Sequence, residues 1–272
     1  MRIGRIGPCI LMAGAYIIII FAITMAKLVK LNVHLAIGLS VVSVCVLMLV
    51  QLAFVISVVG LRMRPRLSAL LALLSAAVFV GILFSKLHAP MMAILGLASI
   101  QQLSLMLFAA ALGYTISFIV REPNILLPIA IFAAFVDYWS VTWGPLSQIL
   151  EKKPAIVAAV SVHMPTPVPG VPGTMIGMGD FVFLALFFGV LYRFSMNVKG
   201  TFWLGYGLLT ASMLVVMGLG GALPALIPMG LAVVAANAKL FKLKREELLA
   251  IVYVGALLLV VLIASGIFLF ER

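Results

Sequence analysis

The sequence predicts an all-α, polytopic membrane protein, and three observations predict it. Hydrophobic residues make up 65% of the 272-residue chain and charged residues only 9%, against about 25% charged in a soluble domain. The mean hydropathy is +1.33. The apolar residues also come in unbroken runs rather than in alternation. A chain in lipid must satisfy its own backbone hydrogen bonds, so continuous runs mean helices and not a barrel. A soluble core is excluded.

Taken in order, the runs fall at 8–26, 33–60, 67–87, 91–120, 125–143, 173–192, 201–219, 222–238 and 248–270, which gives nine transmembrane helices. The first follows Arg2 and Arg5 and imitates a signal peptide. It lacks a small-residue cleavage site and more spans follow, so it is expected to be a retained helix. The second and fourth are long enough to tilt. The eighth is short for a span and starts at Gly220-Gly221. The one long connection, 144–172, carries an amphipathic piece at 146–153 and a β-branched stretch at 156–162. It ends in Pro165-Thr166-Pro167-Val168-Pro169-Gly170-Val171-Pro172-Gly173, which favours extended backbone. Residues 1–122 are expected to hold four N-terminal helices, and 123–272 the helices that carry the chemistry.

The net charge is +11, but the basic residues are scattered through short loops, where they orient helices rather than bind nucleic acid. With nine spans, 12 of the 18 lysines and arginines fall on the N-terminal side of the membrane and 6 on the other. The N-terminus is therefore expected in the cytoplasm and the 144–172 loop outside; the small size and absence of appended domains give the expectation of a microbial cell membrane. Cys9 and Cys45 form no CxxC and are expected to be packing residues. His34, His88 and His163 are isolated, with no HExxH, and there is no GxSxG or P-loop, so no metal or cofactor is expected. Gln101-Gln102, in the middle of an apolar run, are expected to hydrogen-bond between helices.

The acidic residues are segregated. Glu122, Glu151, Glu246, Glu247 and Glu271 lie in polar connections or at the C-terminus, whereas the two aspartates, Asp137 and Asp180, lie in apolar runs. A carboxylate in hydrocarbon costs about 2.5–3.5 kcal/mol on insertion scales, which makes such a residue a functional candidate. Asp137 is eight residues before Pro145 and Asp180 eight after Pro172. One loop joins their helices, so these run antiparallel, and each carboxyl is expected about 12 Å below the same surface. Two carboxyls a few ångströms apart cannot both ionise cheaply, so they hold one proton between them and titrate as a unit. The ionised one can then take a proton from water while the protonated one polarises a carbonyl. Gly177 and Gly179, lacking side chains, allow close approach just before Asp180. Three readings stay open on these residues alone: proteolysis, proton-coupled transport through the same two acids, and structural hydrogen bonding.

The motifs add a resemblance. Gly177-Met178-Gly179-Asp180-Phe181-Val182-Phe183 resembles the GxGD motif of presenilins and signal peptide peptidases, the intramembrane aspartyl proteases. Pro224-Ala225-Leu226, in Ala222-Leu223-Pro224-Ala225-Leu226-Ile227-Pro228, resembles their PAL motif, and Gly144-Pro145-Leu146 is also presenilin-like. Asp137 matches the first catalytic aspartate. The resemblance covers roughly 125–240 and implies a presenilin-like bundle that cleaves single-span membrane helices without metal or cofactor. It implies that Asp137 and Asp180 form the catalytic dyad, that Gly177 and Gly179 shape its approach, and that Leu223, Pro224, Ala225, Leu226 and Tyr138 line the substrate site. The chain departs from the family in carrying Val136 before its first aspartate, with Tyr138 after it. It also has four helices, not five, ahead of that aspartate, and one more after the PAL helix. The extended stretches around 156–172 and 223–226 are expected to pair with an unwound substrate as an added strand.

Overall fold

The computed structural model describes residues 6–26, 32–88, 95–142, 154–167, 173–219, 223–241, 244–246, 249, 251–257 and 260. Its helices are α1 (Gly7–Ala26), α2 (Val33–Gly60), α3 (Pro65–His88), α4 (Leu95–Ser117), α5 (Leu126–Thr142), α6 (Pro154–Ala159), α7 (Met178–Arg193), α8 (Val198–Leu219) and α9 (Leu226–Asn237). Between α6 and α7 stand two short strands, β1 (Ser161–Met164) and β2 (Thr174–Gly177). Among the described residues six helices are long and apolar enough to cross a membrane: α1, α2, α3, α4, α5 with the 3-10 turn that precedes it, and α8. The protein is thus a helical membrane protein. The expected segments 173–192 and 222–238 become the shorter helices α7 and α9. The expected helix 248–270, the amphipathic piece 146–153 and Gly144-Pro145-Leu146 lie largely or wholly outside the described residues.

The region joining the two aspartate-bearing helices departs from expectation in two ways. The helix expected over 173–192 begins only at Met178, because Thr174–Gly177 pairs antiparallel with Ser161–Met164. The stretch 156–162 is not extended throughout. Pro154–Ala159 is helical, and the strand starts at Ser161. The penalty for a β-branched residue in a helix is only a few tenths of a kcal/mol, and a proline at the first helical position gives up no hydrogen bond. At 16 residues, α7 is about 24 Å long, short of the ~30 Å hydrocarbon layer. The strand continues the chain with its inner edge paired in the hairpin, which supplies part of the hydrogen bonding that non-helical backbone near lipid requires.

The chain divides into two compact units, one of residues 1–118 with 158–189, the other of 119–157 with 190–272. In the first, α2 and α3 both pack on α4, α1 packs on α2, and β1 lies against α4 and α2. Its core includes Tyr16, Leu105, Met106, Phe181 and Phe187, all buried, and the Tyr16 hydroxyl donates to Gln102. That bond joins α1 to α4, as expected for an amide in an apolar run. On α3, Leu70, Leu73, Leu74 and Phe84 are more than half exposed, as lipid-facing side chains are. In the second unit α9 packs on both α5 and α8.

The turn between α7 and α8 follows ordinary capping rules. After α7, Ser195 adopts φ 52°, and the N–H of Met196 reaches back to the Leu191 carbonyl at 2.9 Å, a left-handed C-terminal cap built without glycine. Asn197 then caps α8, its side-chain oxygen accepting from the Gly200 N–H at 3.0 Å.

Candidate functional site

Asp137 lies in the second unit, five residues before the end of α5. Its Oδ2 accepts the N–H of Leu226 at 2.8 Å across 89 residues of sequence. Leu226 opens α9, so this N–H is one of the donors that a helix start cannot satisfy internally. The local sequence leaves it there. Pro224 and Pro228 have no N–H, and the Met229 N–H already reaches the Ala225 carbonyl at 3.3 Å. Ala225, at the cap position, has no side-chain acceptor to offer. The cap is therefore supplied by an acid on another helix, and a carboxylate is the group a helix N-terminus favours most. Glycine and alanine make the approach possible. A Cβ at Gly230 of α9 would meet the Ala130 carbonyl of α5 at 3.4 Å, and one at Gly205 of α8 would meet the Ala232 Cβ at 3.6 Å.

Asp180 lies in the first unit, third in α7 and in its first turn. Its Oδ2 accepts the N–H of Gly177, the residue before the helix, at 3.2 Å. This is the backward half of a capping box. The Met178 N–H bonds the Val160 carbonyl at 3.2 Å, so the start of α7 is pinned to the hairpin. Behind Asp180, α7 is jammed against α4. A Cβ at Gly113 would come within 2.1 Å of the Val182 carbonyl oxygen, and one at Gly189 within 2.6 Å of the Ser117 hydroxyl.

Of the residues singled out in the sequence, Leu223, Pro224, Ala225 and Leu226 enter α9 beside Asp137, with Ala225 and Leu226 buried and Leu223 exposed. Gly177 meets Asp180 through its N–H, and a Cβ there would lie 3.5 Å from Oδ2. Gly179 is different. It is exposed, and among the described residues nothing would lie within 4 Å of a Cβ there, so it leaves open space beside the acid rather than a close backbone contact. Tyr138 is half-buried on α5, but adjacent helical residues point about 100° apart, so it does not share a face with Asp137. Asp137 and Asp180 belong to different compact units.

One polar cluster escaped the sequence reading. Asn237, buried at the end of α9, accepts the Asn197 N–H at 2.8 Å and donates to the Thr201 hydroxyl at 2.9 Å and the Val233 carbonyl at 2.8 Å. It locks the far end of α9 to the start of α8. The available signal was a lone asparagine closing an apolar run.

Among the described residues no group of three or more His, Cys, Asp or Glu is placed to hold a metal ion. No family model, curated protein or solved structure matches this chain.

Proposed function

We propose that the chain is an intramembrane aspartyl protease that hydrolyses peptide bonds in single-span membrane helices, with Asp137 and Asp180 as its acid–base pair and water as nucleophile. The observation that carries this reading is the hydrogen bond from Leu226 to Asp137. It joins the membrane aspartate to the Leu223-Pro224-Ala225-Leu226 stretch, two motifs that resemble those of presenilins and signal peptide peptidases and that lie far apart in sequence. The ionised carboxylate takes a proton from water, the resulting hydroxide adds to the scissile carbonyl carbon, and the protonated carboxyl gives its proton to the carbonyl oxygen. The tetrahedral adduct then collapses as the departing nitrogen takes a proton from the carboxyl that deprotonated the water, while the other carboxylate recovers one from an adduct hydroxyl.

A substrate helix must unwind before its peptide bond is accessible. The β1–β2 hairpin ends one residue before α7, and an unwound segment would add to it as a further strand, main chain to main chain. The N-terminus is assigned to the cytoplasm on the distribution of lysine and arginine.

The test is cleavage by the purified protein, in vesicles, of a labelled single-span peptide into two fragments, abolished by Asp137→Asn and by Asp180→Asn. Asp137→Cys with Asp180→Cys, in a chain whose Cys9 and Cys45 are alanine, should cross-link through a short bifunctional reagent. Failure of both experiments would overturn the reading. A proton-coupled transporter is the second reading. It is favoured by the short helix α9 with the non-helical Leu223-Pro224 before it, since interrupted helices hold substrates and ions in transporters. Proton-driven flux without cleavage would establish it instead.

A further inference from the structure

The first unit has an apolar groove of about 550 Å³ on its surface, formed by α1, α2, α3, α4 and the α2–α3 turn, in which Ser104 is the one polar side chain. It starts at Leu61 and Met63 in that turn and runs past Leu67 to Leu74 and Ile100. From Leu67 to Leu74 is seven residues, about 10 Å along α3, or two-thirds of one leaflet of a ~30 Å hydrocarbon layer. With the arginine-bearing α2–α3 turn placed at headgroup level, where such residues belong, the groove descends about two-thirds of one leaflet.

The turn at its end is cationic. Leu61, Met63 and Leu67 line the groove, and Arg62, Arg64 and Arg66, which alternate with them in sequence, are exposed. The turn achieves this alternation through a left-handed Arg62, φ 49°, a conformation that costs an ordinary side chain energy and holds only where its surroundings impose it. The first 121 residues contain nine lysines and arginines and no aspartate or glutamate.

The groove's size argues against a helical occupant. One turn of helix, about 5.4 Å long and 10–12 Å wide, fills roughly 400–600 Å³, so a spanning helix would have nearly all of its length outside. An acyl chain is thin enough to lie along it.

We infer that this groove is a binding site for one anionic phospholipid, with an acyl chain along α3 and α4 and the phosphate at Arg62, Arg64 and Arg66. Charge and shape are read together: the apolar channel takes the tail, and the arginines, suited to fork-like contact with phosphate oxygens, select the head. The proposal is independent of Asp137, Asp180 and the proteolytic reading.

The test exchanges the purified full chain against vesicles of phosphatidylglycerol, phosphatidylcholine or an equal mixture of matched chain length, and counts retained lipids by native mass spectrometry. The expected result is one phosphatidylglycerol held per chain in preference to phosphatidylcholine. The R62Q/R64Q/R66Q variant should lose that preference by about tenfold or more, whereas K239Q/K244Q/R245Q, equal in charge removed, should keep it. Ala13→Phe, which fills the groove without touching the arginines, should lower retention of both lipids and serves if the arginine variant fails to fold. Equal retention of the two lipids, loss of selectivity in the control variant, or retention unchanged by Ala13→Phe would overturn the proposal. So would a second protein copy or a peptide protecting the groove in place of lipid.

Discussion

Asp137 and Asp180 do the same local task by opposite means. Each carboxylate accepts a backbone N–H at the start of a helix. Asp180 caps its own helix, whose next turns are wedged against α4 with no space for a methyl group at Gly113 or Gly189. Asp137 caps a different helix, α9, which meets its neighbours through Gly230 and Gly205 at ordinary contact distances. One acid is held by the packing of the element that bears it. The other is held by a hydrogen bond to the start of a neighbouring helix that packs at ordinary contact distances. The support of Asp180 is thus the crowded one, and the entrance of α9, where Leu223 and Pro224 stand ahead of the first helical turn, the looser one.

The largest effect expected is on the proposed proteolysis. Asp137→Asn and Asp180→Asn should each reduce cleavage by about 10²–10⁴-fold, the usual loss on removing an acid–base group. The amide oxygen still accepts the backbone N–H, so thermal unfolding in detergent should change little. Unimpaired cleavage in either variant would leave that acid as a cap alone.

Next in size comes Gly113→Ala. Its methyl would be driven into the Val182 carbonyl, and a cost of about 3 kcal/mol or more is expected from overpacking against backbone, measured by denaturant titration. Asp137→Ala should follow at about 1–3 kcal/mol, the cost of an unsatisfied buried donor. Hydrogen exchange should show the opening concentrated at Leu226–Met229. Asp180→Ala should cost less, about 0.5–2 kcal/mol, the range for a lost N-terminal cap, and exchange should quicken only at the start of α7. The smallest effects belong to Gly230→Ala and Gly205→Ala, each within about 1 kcal/mol. If these two matched Gly113→Ala, the contrast between a jammed and a compliant support would be lost.

Much of this arrangement is legible in the residues, and the exceptions have physical causes. Apolar runs locate helices because lipid leaves the backbone no other partner, so α1 to α5 and α8 fall close to where the hydropathy put them. The proximity of Asp137 to the Pro224-Ala225-Leu226 stretch was implied by motif resemblance. The identity of the bond was not, because nothing in Leu226 marks its N–H as unsatisfied until α9 is known to begin there. Thr174-Met175-Ile176-Gly177 reads as the first turn of a membrane helix, and only its pairing with Ser161–Met164 makes it a strand. Tertiary pairing of this kind overrides local preference. The wedging glycines are equally silent in sequence. Gly113, Gly205 and Gly230 all sit in apolar helices, and only the neighbouring helix distinguishes the crowded one from the others.

The hairpin has a consequence for the direction in which Asp180 faces. Its register sets Ser161 opposite Gly177, and Gly177 is the last strand residue before α7. A strand that slips by one position exchanges its inner and outer faces, which would turn the exposed Met175 inward and the buried Ile176 outward. The same slip would start the helix one residue early or late, rotating the carboxyl about 100° around the axis and moving it about 1.5 Å along it. The four-residue ladder therefore acts as an indexing pin for the azimuth of the acid. Gly173, where a Cβ would come within 2.2 Å of the Met164 carbonyl oxygen, is the tooth that holds the pin in its slot.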